Sequence, residues 1–362
     1  MTPQSKPLSP RRRLGAWKII ALIILFPVVV VVAFAGGKLA VINHSRNKVI
    51  QSHSISEIRE YTLGGIPQKV MLDGADSSAP LVVYFHGGPG SPLPYNVGSR
   101  GMLPEVAEAN ILVTWDQYGS GVNDPGNLDD INLDTISQMA VDLIVELKKD
   151  FPENRLTVFG MSWGSVLAAN VATEKPELID EVVVYGQITH QLFINDETLR
   201  ALDAAELSKK ERMQLESVKA KETYTARDVE IISPMLMKRT EGFYAEGSRL
   251  TDFLDPILGS LISPDYSIGD FTALFKNSYT GKHEPLEELL RVDIRPQLKE
   301  VQVPYYIVQG DKDLVTSTAE VAKLIDDTSN SNLHFEIVDN SSHFPSPEAT
   351  AYVLDFENFR AT

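Results

Sequence analysis

The pentapeptide Gly160-Met161-Ser162-Trp163-Gly164 stands between a short β-rich apolar run, residues 155–159, and a helix-compatible run, residues 165–173. A serine at such a junction predicts a tight strand-to-helix turn, with the hydroxyl raised at the edge of a sheet. A residue held in so strained a backbone needs neighbours without side chains two positions before and two positions after it. Gly160 and Gly164 supply them. The chain must therefore build a sheet with a helix packed closely behind the turn.

Upstream, residues 81–84 (LVVY) read as a buried strand that runs into Phe85-His86-Gly87-Gly88-Pro89-Gly90. Glycines let backbone N–H groups approach a developing negative oxygen that side chains would obstruct. The expected oxyanion donors are the N–H of Gly88 and the N–H of Trp163, the residue after the serine. Glycine and proline also make ordinary turns, and it is the matching elbow downstream that favours chemistry here.

A serine hydroxyl needs a base, and the base needs a group to orient it. Where a serine sits on this kind of turn, the acid follows a late strand and the histidine a later one. Residues 303–308 (VPYYIV) form the first late strand and empty into Gln309-Gly310-Asp311-Lys312-Asp313. Residues 333–338 (LHFEIV) alternate as a second and lead to Asp339-Asn340-Ser341-Ser342-His343. Of the seven histidines, His343 alone lies in a small-residue loop directly after a C-terminal strand, so it is the expected base. His334 falls within that strand, His44 and His53 before the domain, and His86 and His190 at a loop and a cap junction. Asp313 is the preferred acid, because three residues past the loop glycine the chain has room to turn back. Asp311 reads as a loop cap, although either aspartate could simply hydrogen-bond its own turn.

The stretches FHGGPGSP (85–92), TWDQYGSG (114–121) and GMSWGS (160–165), with the terminal GDKD and SSHFP, resemble the α/β-hydrolases related to proline iminopeptidase, a family of serine peptidases. The resemblance covers most of the chain from about Tyr61 onward. It implies the α/β-hydrolase fold, Ser162 as nucleophile, Asp313 as acid, His343 as base, and Gly88 with Trp163 as oxyanion donors. Tyr118 and Met161 stand where the family usually carries arginine and glycine.

Residues 19–37 (IIALIILFPVVVVVAFAGG) are uncharged and bounded by Lys18 and Lys38. As a helix they would span roughly 28 Å, close to the hydrocarbon thickness of a bilayer. Arg11, Arg12, Arg13 and Lys18 precede the run, so the N-terminus is expected in the cytoplasm and the body on the far side, as a single-pass membrane protein. Cleavage after Ala35, at an A-x-A-like site, is the competing expectation and would secrete the body. The apolar run exceeds a usual signal-peptide core, which favours retention. The chain as a whole carries a formal charge of −16, and its basic residues are enriched in the first 18 positions. The body would be repelled by phosphate backbones, so no nucleic-acid partner is expected. Without cysteine there are no disulfides, thiolate metal sites or cysteine nucleophiles. No metal site and no cofactor are expected.

The resulting organisation is a basic tail (1–18), a transmembrane signal anchor (19–37), a connector (38–60), a first core part (61–186), a helical cap (187–292) and a second core part (293–362). Alternating strands and helices predict a mostly parallel sheet covered on both faces. A first hairpin is expected between residues 69–72 and 81–84, with turn residues at 73–80. Within the cap, Glu197, Glu230 and Glu241 could meet a substrate ammonium but read as solvated helix positions. Phe193, Tyr224, Phe243, Tyr244 and Phe253 read as core. The expected function is a membrane-anchored serine hydrolase working through an acyl-enzyme. The resemblance suggests an aminopeptidase acting on short peptides. A carboxylesterase of the same fold and a non-catalytic surface binding protein are the alternatives.

Overall fold

The computed structural model describes residues 36–37, 40, 43–44, 47–90, 100–101, 103–126, 132–190, 192–244, 263, 265–276 and 283–360. Nearly all of the apolar run at 19–37 lies outside these residues. Among the described residues no helix is long and apolar enough to cross a membrane. The chain divides into two units, residues 1–45 and 46–362. The second unit holds the sheet, the helices around it and the serine elbow.

Its strands are β1 (Ile55–Leu63), β2 (Ile66–Gly74), β3 (Leu81–Phe85), β4 (Ile111–Thr114), β5 (Leu156–Met161), β6 (Glu181–Tyr185), β7 (Tyr305–Gly310) and β8 (Leu333–Val338). They form one sheet in the order β1-β2-β4-β3-β5-β6-β7-β8. The pairs β1–β2 and β2–β4 are antiparallel, and every pair from β4 to β8 is parallel.

Strands β3 to β7 are buried throughout, which is why they read as near-continuous apolar runs. Alternate residues feed two separate cores. Val83, Val158 and Val184 face one, and Val82, Phe159 and Val183 face the other. The first core is closed by the helix Leu133–Asp150, whose buried residues recur at Ile136, Met139, Ala140, Leu143, Ile144 and Leu147. Asn132 caps that helix, accepting from the Thr135 N–H at 2.8 Å. The elbow helix Trp163–Glu174 packs on the same side. Ala349, Val353 and Phe359 of the C-terminal helices, with Phe356 from the turn between them, close the second core.

The expected hairpin between residues 69–72 and 81–84 is not formed. β2 pairs with β1 and β4, while β3 lies between β4 and β5. The hairpin that does form turns at Gly64-Gly65, both at positive φ (59° and 77°), a glycine pair suited to a two-residue turn. The connector also ends earlier than expected, because β1 starts at Ile55. His53 belongs to this body: its Nδ1 lies 2.7 Å from the Asp73 carboxylate, and both side chains are buried.

Between β6 and β7 the described regular elements include the helices Asp196–Ala204, Lys209–Lys219, Ala226–Arg239, Ile268–Lys276 and His283–Leu289. Ser208 and Glu211 form a capping box on the second. In the same region Tyr244 makes one isolated parallel bridge to Phe344.

Candidate active site

The parallel strands all end at one edge of the sheet, so their following loops converge there. Ser162 follows β5 and caps the elbow helix at φ 51°, ψ −118°, a backbone that L-residues rarely adopt. The flanking glycines have a steric reason. A Cβ on Gly164 would lie 1.9 Å from the Phe85 carbonyl oxygen, and one on Gly160 would lie 2.6 Å from the carbonyl oxygen of Gly164. Strand β3, strand β5 and the elbow helix thus approach too closely for side chains.

His343, in the loop after β8, brings its Nε2 to 3.0 Å from the Ser162 Oγ. Its Nδ1 lies 3.0 Å from Asp313 Oδ2, in the loop after β7. Asp313 is buried and accepts from the N–H groups of Val315 (2.8 Å) and Thr316 (3.0 Å) and from the Thr316 hydroxyl (2.7 Å). These donors fix the carboxylate, which orients the imidazole with Nδ1–H toward the acid and Nε2 toward the serine. Asp311 is exposed and accepts from the Ser341 N–H at 3.0 Å, within the loop framework. The structure thus brings together Ser162, His343 and Asp313 and leaves Asp311 apart.

The glycine loop lies against the serine. A Cβ on Gly87 would sit 3.4 Å from the Ser162 Cβ, and Gly88 has φ 121°. His86 is fully buried, and burial pushes its pKa down to about 4, so the ring is neutral. The Gln117 N–H donates to its Nε2 at 3.0 Å, which leaves Nδ1–H to donate to the Gly87 carbonyl at 2.8 Å.

Gln117 carries no mark in the sequence that sets it apart as a site residue. Its side-chain amide donates to the His86 carbonyl at 2.8 Å, and its side-chain oxygen accepts from the Trp163 indole at 3.1 Å. One buried side chain links the glycine loop to the elbow helix. The only signal was its place in the DQYGSG stretch.

Asp116, its neighbour, is also fully buried, and burial raises its pKa to about 7 against the donors it meets. Those donors are the Val122 N–H at 3.0 Å and the Tyr266 hydroxyl, 2.9 and 2.8 Å from its two oxygens. Asp265, next to Tyr266, binds the Arg100 guanidinium at 2.7 Å.

The three cap glutamates are otherwise engaged or exposed. Glu241 pairs with Lys312 at 2.6 Å, Glu197 accepts from the Ser317 hydroxyl at 2.7 Å, and Glu230 is exposed. Phe193 is buried in the first core, and Tyr224 packs against that core half-buried. Phe243 likewise packs half-buried against the first core, with its ring beside that of His343 at a centroid distance of 5.9 Å, while Tyr244 is partly buried and belongs to neither core. Phe253 lies outside the described residues. Among the described residues no cluster of three or more potential metal-ligating side chains is present.

Residues 80–350 match the family described as alpha/beta hydrolase fold. The chain is 24% identical over 281 residues to "Probable aminopeptidase YbaC" of Bacillus subtilis (strain 168), covering 75% of this chain and 86% of that protein. Among solved structures, VinJ superposes with a TM-score of 0.58 at 20% identity, over 85% of this chain and 98% of its own. The proline iminopeptidase of Mycobacterium smegmatis gives a TM-score of 0.53 at 18% identity, over 84% and 95%. These two superpositions speak to fold. With the family match spanning most of the sequence, and with a parallel sheet presenting a serine elbow and a glycine loop at one edge, the chain belongs to the α/β-hydrolase fold family.

Proposed function

We propose that this α/β-hydrolase is a serine hydrolase whose nucleophile, base and acid are Ser162, His343 and Asp313. The observation that carries the reading is the unbroken relay from Ser162 Oγ to His343 Nε2 and from His343 Nδ1 to Asp313, each step 3.0 Å. As Oγ attacks a substrate carbonyl, its proton passes to Nε2, and the resulting oxyanion is met by the N–H groups of Gly88 and Trp163. The imidazolium then protonates the leaving group, and water repeats the sequence to release the acyl group.

Within that chemistry, the likeness to "Probable aminopeptidase YbaC" and the sequence motifs favour an aminopeptidase of the proline iminopeptidase type acting on short peptides. Carboxylesterase action is the second reading. It is favoured by the ion pair of Glu241 with Lys312, which already neutralises that carboxylate against a substrate ammonium. The apolar run at 19–37 and the basic residues before it support a membrane anchor with the catalytic body outside the cytoplasm.

A fluorophosphonate probe tests the nucleophile: wild type should label and Ser162→Ala should not. Absence of labelling in the wild type would instead support a non-catalytic binding protein. Proline β-naphthylamide and p-nitrophenyl esters separate the peptidase from the esterase. Retention of the full-length protein in membranes after alkaline carbonate washing tests the anchor.

A further inference from the structure

The rings of Phe243, Tyr244 and Phe344 form a closed aromatic cluster. Centroid separations are 4.8 Å for Phe243–Tyr244, 5.1 Å for Phe243–Phe344 and 4.9 Å for Tyr244–Phe344. It leans on the imidazole of His343, whose centroid is 5.9 Å from Phe243 and 6.3 Å from Phe344. All three rings are only partly buried. Aromatic side chains in a hydrophobic core usually bury nearly all of their surface, and a partly open group of three beside the proposed base calls for an occupant.

The cluster is fixed by backbone to the loops that carry Asp313 and His343. The Phe344 N–H donates to the Phe243 carbonyl at 3.0 Å, and the Gly242 carbonyl accepts from the N–H groups of Leu314 (3.3 Å) and His343 (3.5 Å). The Ser342 hydroxyl donates to the Glu241 carbonyl. Residues 241–244 are therefore strapped to both loops. A Cβ on Gly242 would come within 2.6 Å of the Leu314 side chain, so the strap sits without clearance. The charge nearest the strap is already satisfied, since Glu241 is paired with Lys312.

We infer that Phe243, Tyr244 and Phe344 form the subsite for the leaving group, and that it takes an aromatic one. The inference rests on the serine-hydrolase reading. In that chemistry His343 hands its proton to the departing oxygen or nitrogen, so that atom lies within hydrogen-bond reach of Nε2. The rest of the leaving group must then extend past the imidazole's neighbours, and these include the rings of Phe243 and Phe344, with Tyr244 packed against both and the one acid of the strap, Glu241, already paired. An aromatic ring gains offset or edge contacts there that a short alkyl group cannot reach.

The test compares benzyl and methyl esters of one acyl group, acetyl and prolyl in turn, with the full-length enzyme. The two alcohols are of similar basicity, so the ratio of their kcat/KM values reports contact rather than reactivity. The expected ratio is about tenfold or more in favour of benzyl. It should fall toward unity in Phe243→Ala and Phe344→Ala, with fluorophosphonate titration of Ser162 counting the folded sites in each preparation. Phe243→Leu, which keeps apolar volume but not the ring, should give an intermediate ratio. As a second measurement, the acyl-enzyme should partition to added benzyl alcohol over methanol by a similar factor. Labelling of Ser162 together with a benzyl-to-methyl ratio near one in the wild type overturns the subsite and leaves the hydrolase reading standing. No labelling and no ester turnover overturns both.

Discussion

The indole nitrogen of Trp163 donates to the side-chain oxygen of Gln117 at 3.1 Å, joining the first residue of the elbow helix to the loop after β4. Because the Gln117 amide also donates to the His86 carbonyl, a single side chain spaces the two segments that carry the proposed oxyanion donors. Leucine at this position would leave the indole and the carbonyl unpaired in a buried place, each costing roughly 1–3 kcal/mol. Gln117→Leu is expected to lower the melting temperature and to reduce kcat about 10- to 100-fold with less effect on KM. Steady-state kinetics on an ester substrate checks this, and an unchanged kcat would remove Gln117 from the site.

The two neighbouring aspartates should behave differently. Asp313 receives three donors and faces His343, whereas Asp311 is exposed and holds a loop N–H. Asp313→Asn would lose the carboxylate that sets the imidazole tautomer, a loss on the order of 10⁴ in kcat for triads of this kind. Asp311→Asn should stay within about tenfold of wild type, since only a loop contact is altered. Equal losses in the two variants would reassign the acid.

Gly164→Ala is expected to be among the most damaging single-methyl additions in this chain. The new Cβ would meet backbone, the Phe85 carbonyl oxygen at 1.9 Å, and neither the strand nor the helix N-terminus can move away without dragging Ser162. Overpacking of this severity costs roughly 3 kcal/mol or more. A urea titration should show the loss, and a Gly164→Ala variant of wild-type stability would contradict the close approach of β3 and the elbow helix.

Asp116 gives a pH dependence of defined sign. Its folded-state pKa is raised to about 7, above its ordinary value of 3.8, so the folded protein holds a proton that the unfolded chain releases. Its contribution to stability is therefore fully present below the ordinary value and is lost as pH rises through about 7. His86 acts oppositely: with its pKa lowered to about 4 from 6.5, it costs stability as pH falls between those values. Over that window the two offset each other in the wild type. Asp116→Asn keeps an acceptor for Tyr266 and Val122 without the charge, so it should gain stability relative to wild type on going from pH 5 to pH 8. Thermal melts at the two pH values read the difference; a constant offset would mean that Asp116 does not titrate in this window.

Much of the candidate site was legible because its parts are local. A glycine-flanked serine between a strand and a helix specifies its own turn, and small-residue loops after late strands mark where an acid and a base can stand. Ser162, Asp313 and His343 were each singled out in this way. The first hairpin was misplaced because the apolar run of β3 looks the same whether it pairs with β2 or slides between β4 and β5. The glycine pair at 64–65 was the better turn signal. Gln117 was marked only by its place in the DQYGSG stretch, since an amide becomes a brace only when its partners arrive from elsewhere.

By itself the sequence determined most element types, β1 at Ile55–Leu63 excepted, together with the strained serine turn and the three candidate relay residues, because these follow from side-chain size, periodicity and backbone preference over a few positions. Only the tertiary structure decided that Ser162 and His343, 181 residues apart, meet at 3.0 Å, that Gln117 joins the glycine loop to the elbow, and that Phe243 and Phe344 stand beside the imidazole. Those contacts depend on the order of strands in the sheet and on where the segment after β6 is strapped, and long-range pairing of that kind leaves no periodic trace in the residues that make it.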